Sequence, residues 1–362
     1  MSGTGRPPGS AEGAEASRTD ATDAADAAGA SSASAASSAS GEADAAGAAD
    51  AATQVFLDHR ELLFSLVYNI LGSVADTEDV LQDTWLAWAA RNREQAGAPV
   101  THQRAYLVRI AVNGALARRA SVSRRREEYV GPWLPEPLLT APGTVPLTAG
   151  ASGAPGGPGG DGTGDASGAV VRAEAVSIAL LVVLETLTPL ERAVFVLHEV
   201  FGYPHTEIAG ILDRAPAAVR QLAHRAREHV RSRRPRHRTE PRVRREATER
   251  FLAAALGGDL DALLRVLAPD VTMWTDGGGR VRQTVQRPLH GRDKVARMIA
   301  GVAGRAPENL DVRYRTVNGD PTAVLFADDE PFAVMVIGLA PEGDQVTEIY
   351  TVTNPDKLKH ID

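Results

Sequence analysis

The side chains best suited to chemistry in this sequence are hydrogen-bond donors that recur at helical spacing near its middle. They are Arg220, Gln221, His224 and Arg225. The residues between them are small or apolar and supply a buried side for the same helix. Such donors can reach phosphates and base edges when the helix lies in a major groove. The pattern favours DNA binding, and the alternative is an ordinary helical hairpin with a solvated basic face.

Two short helices are predicted to position these donors. Ile208, Ala209 and Leu212 share one helical face, and the segment 213–215 then interrupts the pattern. A second helix is predicted to begin at Pro216, because proline is favoured at the first helical position. The spacing therefore predicts a helix-turn-helix over 205–230.

The distribution of charge agrees with an anionic partner, although the net charge of the chain is −7. Residues 1–53 hold eight acidic residues and two arginines, whereas residues 213–250 hold thirteen arginines and five acidic residues. Local charge matters more to a nucleic acid than the total does. The composition of residues 1–53, mostly Ala, Ser, Gly and Asp, predicts a disordered acidic tail.

Composition also excludes several classes of site. The chain has no cysteine, so disulfides and thiolate chemistry are absent, and its nine histidines do not fall at metal-ligand spacing. We therefore expect neither a metal nor another cofactor. No apolar run approaches the length of a membrane span. A soluble, cytoplasmic protein without a membrane contact is expected.

Three helices are predicted over 54–126. The first runs from about Gln54 to Gly72, the second from Asp76 as N-cap to about Ala90, and the third from Thr101 to near Arg119. The second helix gathers Asp79, Gln82 and Asp83 on one face. The third carries a polar face followed by a basic end: Tyr106, Arg109, Asn113, Arg118 and Arg119.

The rest of the chain divides by composition. Residues 127–170 are predicted to be a linker with a Gly/Pro-rich insert, and residues 171–235 a second helical domain. Thr188 and Glu191 flank Pro189 in a capping box, which marks a helix start.

Residues 236–362 differ from the rest of the chain, because both helix and strand patterns occur there. Helices are predicted at 246–256, 259–267 and 292–303. Strands are predicted at 271–275, 281–285, 311–317, 322–327, 332–339 and 345–353. Turn formers separate the last four strands, so an α+β domain with an antiparallel sheet is expected.

Three motifs in the helical part resemble one family. DTEDVLQDTW at 76–85, YLVRIAVNGALARR at 106–119, and the run from 187 to 227 resemble the two conserved domains of extracytoplasmic-function (ECF) RNA polymerase sigma factors. The resemblance implies sigma region 2 at 54–126 and sigma region 4 at 171–235. It implies binding to the beta and beta-prime subunits of core RNA polymerase and to promoter DNA.

Further motifs resemble the subgroup of these factors with a fused SnoaL-like C-terminal domain, which includes the SigJ-like factors. They are YVGPWLPEPL at 129–138, DGGGR at 276–280, LHGRDKVAR at 289–297 and NPDKL at 354–358. The resemblance implies two all-α domains followed by an α+β SnoaL-like cone. In this subgroup the C-terminal domain replaces a separate anti-sigma factor. The implied regulatory contacts are Trp133, Leu134, Pro135, Glu136, Pro137, Asp276, Gly277, Gly278, Asn354, Pro355, Asp356, Lys357 and Leu358.

The resemblance also assigns roles to the polar faces. Asp79, Gln82 and Asp83 would meet polymerase, where short carboxylates can pair with arginines. Tyr106, Arg109, Asn113, Arg118 and Arg119 would contact the minus-ten element, whose single-stranded bases can stack on an aromatic ring. Arg220, Gln221, His224 and Arg225 would contact the minus-35 element.

Two alternatives stay open at this point. A cone-shaped domain can be an enzyme that uses a buried acid or base, for which Asp270, Asp276 and His290 are candidates. Its pocket would be lined by Trp274, Phe326, Phe332 and Met335, and it could also sense a small molecule. The other alternative is a dimeric helix-turn-helix repressor, which would leave the acidic face of 54–126 unexplained.

Overall fold

A computed structural model describes residues 47, 50–93, 100–140, 176–233, 240–280 and 287–361. Most of the predicted acidic tail, the Gly/Pro-rich insert and the strand predicted at 281–285 lie outside the described residues. No helix of the described part is long and apolar enough to cross a membrane.

The first helical part consists of α1 (50–71), α2 (Val74–Arg93) and α3 (Gln103–Glu127). Helix α1 ends as predicted at Gly72, which adopts φ +72° and donates its N–H to the carbonyl of Tyr68 at 2.6 Å. Two predicted bounds are wrong. Helix α2 begins two residues before Asp76, which lies buried in the first turn and is not its N-cap. Helix α3 runs eight residues past Arg119.

The second helical part consists of α4 (Ile178–Leu184), α5 (Pro189–Phe195), α6 (His205–Leu212) and α7 (Pro216–Arg233), with a π-helical turn, Val196–Val200, after α5. The capping box at Thr188 and Glu191 is present. Asp213 closes α6 in the left-handed conformation, with φ 52°. The predicted helix-turn-helix is therefore confirmed, including the start of its second helix at Pro216.

The two helical parts share one hydrophobic core. Leu63 and Val108 from the first part and Leu180 and Leu197 from the second belong to the same buried cluster. Helix α3 contacts both α5 and α6. A linker with a Gly/Pro-rich insert was predicted between these parts, and the structure packs the two parts against each other.

The C-terminal part is a six-stranded sheet with helices on one face. Its elements are α8 (Pro241–Leu256), α9 (Leu260–Val266), β1 (Leu267–Asp276), β2 (Leu289–His290), α10 (Arg292–Ala303), β3 (Leu310–Val317), β4 (Asp320–Ala327), β5 (Glu330–Leu339), β6 (Val346–Val352) and α11 (Pro355–Leu358). The strand order is β2-β1-β6-β5-β4-β3. Strands β1 and β6 are parallel, so the purely antiparallel sheet that was predicted is wrong. The hairpins are determined by short turns between neighbouring strands, whereas the parallel partner of β1 lies about seventy residues away in sequence.

Both faces of this sheet are covered. Side chains alternate along each strand, so each strand contributes residues to both faces. Met273, Leu325 and Met335 face helices α8 to α10. Phe326, Tyr350 and the half-buried Trp274 face the opposite way, into a cluster that includes residues of the helical parts. Trp274 and Phe326 were predicted to line the cone, and this prediction is wrong. Trp274 instead stacks on Tyr350 at a centroid distance of 4.9 Å.

Candidate nucleic-acid and regulatory interfaces

Helix α7 presents the predicted donors to solvent. Arg220, Gln221, His224 and Arg225 are all exposed and line one shallow surface depression. Val219 and Ala223 anchor the opposite side of the helix in the core. Arg225 also donates from Nε to Glu191 Oε1 at 2.9 Å, which fixes the side chain at the edge of α5. The surface predicted to meet the minus-35 element is open.

The acidic face of α2 is open as well. Asp79, Gln82 and Asp83 are exposed, while Leu81 and Trp88 of the same helix are buried. Arg118 of α3 forms an ion pair with Asp79 at the edge of this face. Gln82 and Asp83 are therefore exposed beside Asp79, which is paired with Arg118.

The polar face of α3 is partly covered by the second helical part. Tyr106 is half-buried against Trp88, with ring centroids 5.8 Å apart. Asn113 donates from Nδ2 to the carbonyl of Ile211 in α6 at 3.2 Å. Arg109 is exposed. Of these three residues, Asn113 is therefore the one in contact with the second helical part.

The two arginines predicted to extend that face are not at its surface. Arg119 is only 3% exposed and donates to Ile70 O and Glu185, both at 2.9 Å. Arg118 is about one-third exposed and pairs with Asp76 and Asp79. Arg118 therefore binds α2, and Arg119 binds the end of α1 and Glu185. In this conformation Arg119 is therefore not accessible to DNA.

Glu185 lies at the centre of this contact. Its carboxylate accepts from Arg119, Arg126 and Arg192, an arrangement that we name the Glu185 cluster. Sequence reasoning missed it, although Glu185 is the only charged residue between Val176 and Leu187. A single acid in an apolar stretch is a signal that could have been used, since buried charges need partners.

The three arginines of the Glu185 cluster also cap the C-terminus of α1. They donate to the carbonyls of Asn69, Ile70 and Leu71 at 2.9, 2.9 and 2.7 Å. Cations are favoured at a helix C-terminus, where the last carbonyls lack helical partners. Burial nevertheless lowers the pKa of each guanidinium. Glu185 is the carboxylate that forms an ion pair with all three of these arginines.

Residues 128–140, which we name the bridging segment, connect all parts of the described chain. Glu136 accepts from the Val74 N–H at 2.5 Å and from Ser73 Oγ at 3.1 Å, so it satisfies donors at the start of α2. This is the role that was predicted for Asp76. Asp76 instead pairs with Arg118 and Arg125; although burial opposes ionisation, these guanidinium groups hold its pKa below the usual value.

The bridging segment meets the C-terminal sheet at Asp276, which is fully buried at the end of β1. Asp276 accepts from Tyr129 Oη at 2.5 Å, from the Leu134 N–H at 2.8 Å and from Lys357 Nζ at 2.7 Å. Asn354 donates to Tyr129 Oη at 2.8 Å. We name Asp276, Lys357, Tyr129, Asn354 and the Leu134 amide the Asp276 cluster.

The Asp276 cluster carries a buried charge pair. Burial lowers the pKa of Lys357 to about 8, while the adjacent Asp276 carboxylate opposes that shift. Lys357 is therefore still largely protonated at neutral pH. It also lies 4.0 Å from the centroid of Trp133, and Arg126 lies over the same ring at 3.3 Å. Trp133 thus connects the Asp276 cluster with the Glu185 cluster.

The structure brings most of the predicted regulatory residues together. Leu134, Pro135, Glu136, Pro137, Gly277 and Leu358 are buried around the two clusters. Gly278 has φ +60°, and a Cβ there would lie 2.5 Å from Asn354 Nδ2, so no other residue fits without movement. Pro355 and Asp356 are exposed, and Asp356 pairs with Arg280 at 2.9 Å, so these two are not part of the buried contact.

Asn318 is a contact residue that sequence reasoning treated only as a turn former. Its φ is 50°, as expected for a turn, and its side chain also binds outside the turn. Asn318 Oδ1 accepts from the Leu138 N–H and its Nδ2 donates to Tyr68 Oη, each at 3.0 Å. Tyr68 in turn donates to the carbonyl of Glu136 at 2.5 Å. The bridging segment is therefore held at both of its ends.

The predicted catalytic candidates do not assemble. Asp270 and His290 are exposed, and His290 contacts Thr272 at 3.0 Å. Asp276 accepts from Tyr129, Leu134, Lys357 and Gly278. It lies on the sheet face opposite to the helices. These three groups share no cavity, so the geometry gives no acid–base pair.

Three family models match consecutive parts of the chain. "Sigma-70 region 2" matches residues 55–125, "Sigma-70, region 4" matches 177–230, and "SnoaL-like domain" matches 248–357. The acidic face and polar face described above fall within the first match, and the exposed donors of α7 fall within the second. The Asp276 cluster joins the segment between the sigma matches to the third match.

Individual relatives agree with the family models. The ECF RNA polymerase sigma factor SigJ of Mycobacterium tuberculosis is 35% identical over 83% of this chain and 90% of its own length. The probable ECF RNA polymerase sigma factor SigI of the same species is 28% identical over 83% of this chain and 92% of its own. The crystal structure of SigJ superposes with a TM-score of 0.60 at 31% identity, covering 85% of this chain and 98% of that one. The chain belongs to the extracytoplasmic-function RNA polymerase sigma factors.

Proposed function

We propose that the chain binds core RNA polymerase, directs it to promoters with minus-ten and minus-35 elements, and is controlled by its own C-terminal domain. The observation that supports control is the bridging segment, which binds α1, α2 and the C-terminal sheet at once. A promoter-specificity subunit of this kind acts with polymerase and DNA in the cytoplasm, without a membrane contact.

The distance between the minus-ten and minus-35 elements supports the proposed control. Two elements centred about 25 base pairs apart are on the order of 80 Å apart along B-form DNA. In the structure Asn113 on the minus-ten face touches Ile211 in the helix-turn-helix at 3.2 Å. We name the arrangement in which the two helical parts are in contact the closed arrangement. A chain in the closed arrangement cannot occupy both elements. Opening of the contact between the helical parts is therefore required before specific initiation.

The polar faces take the roles implied by the family. Gln82 and Asp83 meet polymerase first because they are exposed and have no ion pair among the described residues, and Asp79 follows when Arg118 is released. Arg109, Asn113 and Tyr106 meet the minus-ten element, and Asn113 is released for this contact when α6 moves away. Arg220, Gln221, His224 and Arg225 already face solvent and meet the minus-35 element, some through phosphates only.

The C-terminal domain acts by contact and not by catalysis. Asp276 was one of three acid–base candidates, and its carboxylate accepts from Tyr129 and Leu134 of the bridging segment and from Gly278 and Lys357. The fold of a domain does not by itself confer chemistry.

Run-off transcription with purified core polymerase tests the main proposal. We expect specific initiation on the promoter of the chain's own or a neighbouring gene only when this protein is added. A version ending at Thr353 lacks Asn354 and Lys357 and should differ from the full chain in initiation. A version ending near Arg238 also lacks the whole sheet and should differ strongly from the full chain. Site-specific DNA binding without polymerase, together with no initiation, would instead support the repressor.

A second experiment tests the minus-35 surface. Arg220→Ala should weaken promoter binding by the polymerase complex about 5- to 100-fold, because one base or phosphate contact contributes about 1–3 kcal/mol. Arg231→Ala is the matched control, since Arg231 is an exposed arginine of the same helix that pairs with Glu228 in its last turn. Equal losses in both variants, measured by equilibrium binding at fixed salt, would contradict the assignment.

A further inference from the structure

The C-terminal domain contains a cavity of about 150 Å³ between helices α8 and α10 and the sheet. Its wall is mainly apolar and includes Leu252, Met273, Met298 and Met335. Three of the four methionines of the chain thus line this one cavity. Methionine is flexible and polarisable, and it is common where a surface adapts to a ligand. A cavity of this volume lined by apolar side chains can hold a molecule as large as benzene.

The mouth and the inner wall each show a feature that the fold does not need. Leu256 and Phe332 at the rim are 39% and 40% exposed, so apolar surface is open to solvent there. Thr275 and Thr351 lie on the wall, are 8% and 5% exposed, and their hydroxyls have no hydrogen-bond partner. The two residues are register partners on strands β1 and β6. Two adjacent hydroxyls beside an apolar cavity match a ligand with one oxygen function.

We propose that this cavity binds a small, mainly apolar molecule carrying one carbonyl or hydroxyl group, which Thr275 and Thr351 recognise, and that its binding stabilises the closed arrangement. The effect of the ligand on the closed arrangement rests on the proposed function, whereas the binding site itself does not.

The cavity is connected to the closed arrangement because neighbouring residues at the ends of β1 and β6 face opposite sides of the sheet. Thr275 faces the cavity, and the next residue, Asp276, faces the bridging segment. Thr353 also lines the cavity and donates its N–H to the Asp276 carbonyl at 2.8 Å, while Asn354 after it binds Tyr129. A ligand that fixes Thr275 and Thr351 therefore also fixes the residues that hold the bridging segment. Such coupling is reciprocal between the two sites.

The test uses the full chain with [¹³C-methyl]methionine and two probes of the same shape, acetophenone and ethylbenzene. We expect acetophenone to give saturable shifts of the Met273, Met298 and Met335 methyl signals. Thr275→Val and Thr351→Val should each weaken acetophenone about fivefold, because a hydrogen bond to its carbonyl is lost. Binding of ethylbenzene, which lacks the oxygen, should be unchanged.

Thr347→Val is the matched control, since the Thr347 hydroxyl is also buried and without a partner but does not line the cavity. The absence of saturable shifts with acetophenone would overturn the site, as would equal losses for Thr347→Val or for ethylbenzene. For the coupling, Asp276→Asn should weaken acetophenone at least threefold although Asp276 does not touch the cavity. Unchanged affinity in Asp276→Asn would overturn the coupling and leave the proposed sigma function standing.

Discussion

Asp276→Asn is expected to release the bridging segment from the C-terminal sheet. The substitution removes the carboxylate that pairs with buried Lys357 and accepts the Leu134 N–H. Breaking a buried ion pair on one side leaves the other charge uncompensated and costs about 3–5 kcal/mol. The closed contact should therefore weaken by roughly this amount.

Amide hydrogen exchange at Leu134 measures this effect directly, because that N–H is protected by Asp276 itself. We expect strong loss of protection over 129–138 in Asp276→Asn, together with altered initiation in run-off transcription. Asp356→Asn is the control: Asp356 is a neighbouring but exposed carboxylate, and exposed pairs contribute only about 0–1 kcal/mol. Unchanged protection at Leu134 in Asp276→Asn would show that the contact is held elsewhere.

Glu185→Gln is expected to separate the two helical parts. The carboxylate compensates Arg119, Arg126 and Arg192, and the pKa of each guanidinium is already lowered by burial. Without Glu185, Arg119 and Arg192 would keep only backbone carbonyls as partners, and Arg126 would keep a carbonyl and the ring of Trp133. We expect the contact to lose at least the 3–5 kcal/mol typical of a broken buried pair. The minus-ten face of α3 should then open.

The lack of native cysteine makes this separation easy to measure. Spin labels at Ala87→Cys in α2 and Thr206→Cys in α6 occupy exposed positions and would be the only thiol-linked groups. The distance distribution between them should broaden and lengthen in Glu185→Gln. Glu228→Gln, which removes an exposed carboxylate paired with Arg231, should leave the distribution unchanged. If both variants kept the short distance, the Glu185 cluster would not control opening.

Several features of the molecule follow from the sequence alone. The capping box at Thr188, the start of α7 at Pro216 and the bounds Arg292–Ala303 of α10 match the local patterns. The exposure of Arg220 and Asp83 also follows, because helical periodicity determines which side of a helix is buried. The hairpin turns at Asn318 and Asp328 follow from residues that tolerate positive φ.

Other features depend on contacts between residues far apart in sequence. Periodicity predicts that a face is buried but does not identify its partner, so the shared core of the two helical parts could not be predicted from it. Asp76 was predicted to cap a helix, and Asp276 was predicted to be a regulatory contact or an acid–base candidate. Neither prediction identified the cations from distant segments with which these buried carboxylates pair.

The sequence by itself therefore determined most of the helices, strands β3 to β6 and the exposed faces of α2 and α7, because these depend on neighbours a few residues apart. Only the tertiary structure decided that β1 pairs with β6, that Arg119 is buried against Glu185, and that Asp276 holds the bridging segment. The physical reason is that a buried charge is stable only beside a specific partner. That partner is fixed by the packing of whole segments and not by local spacing.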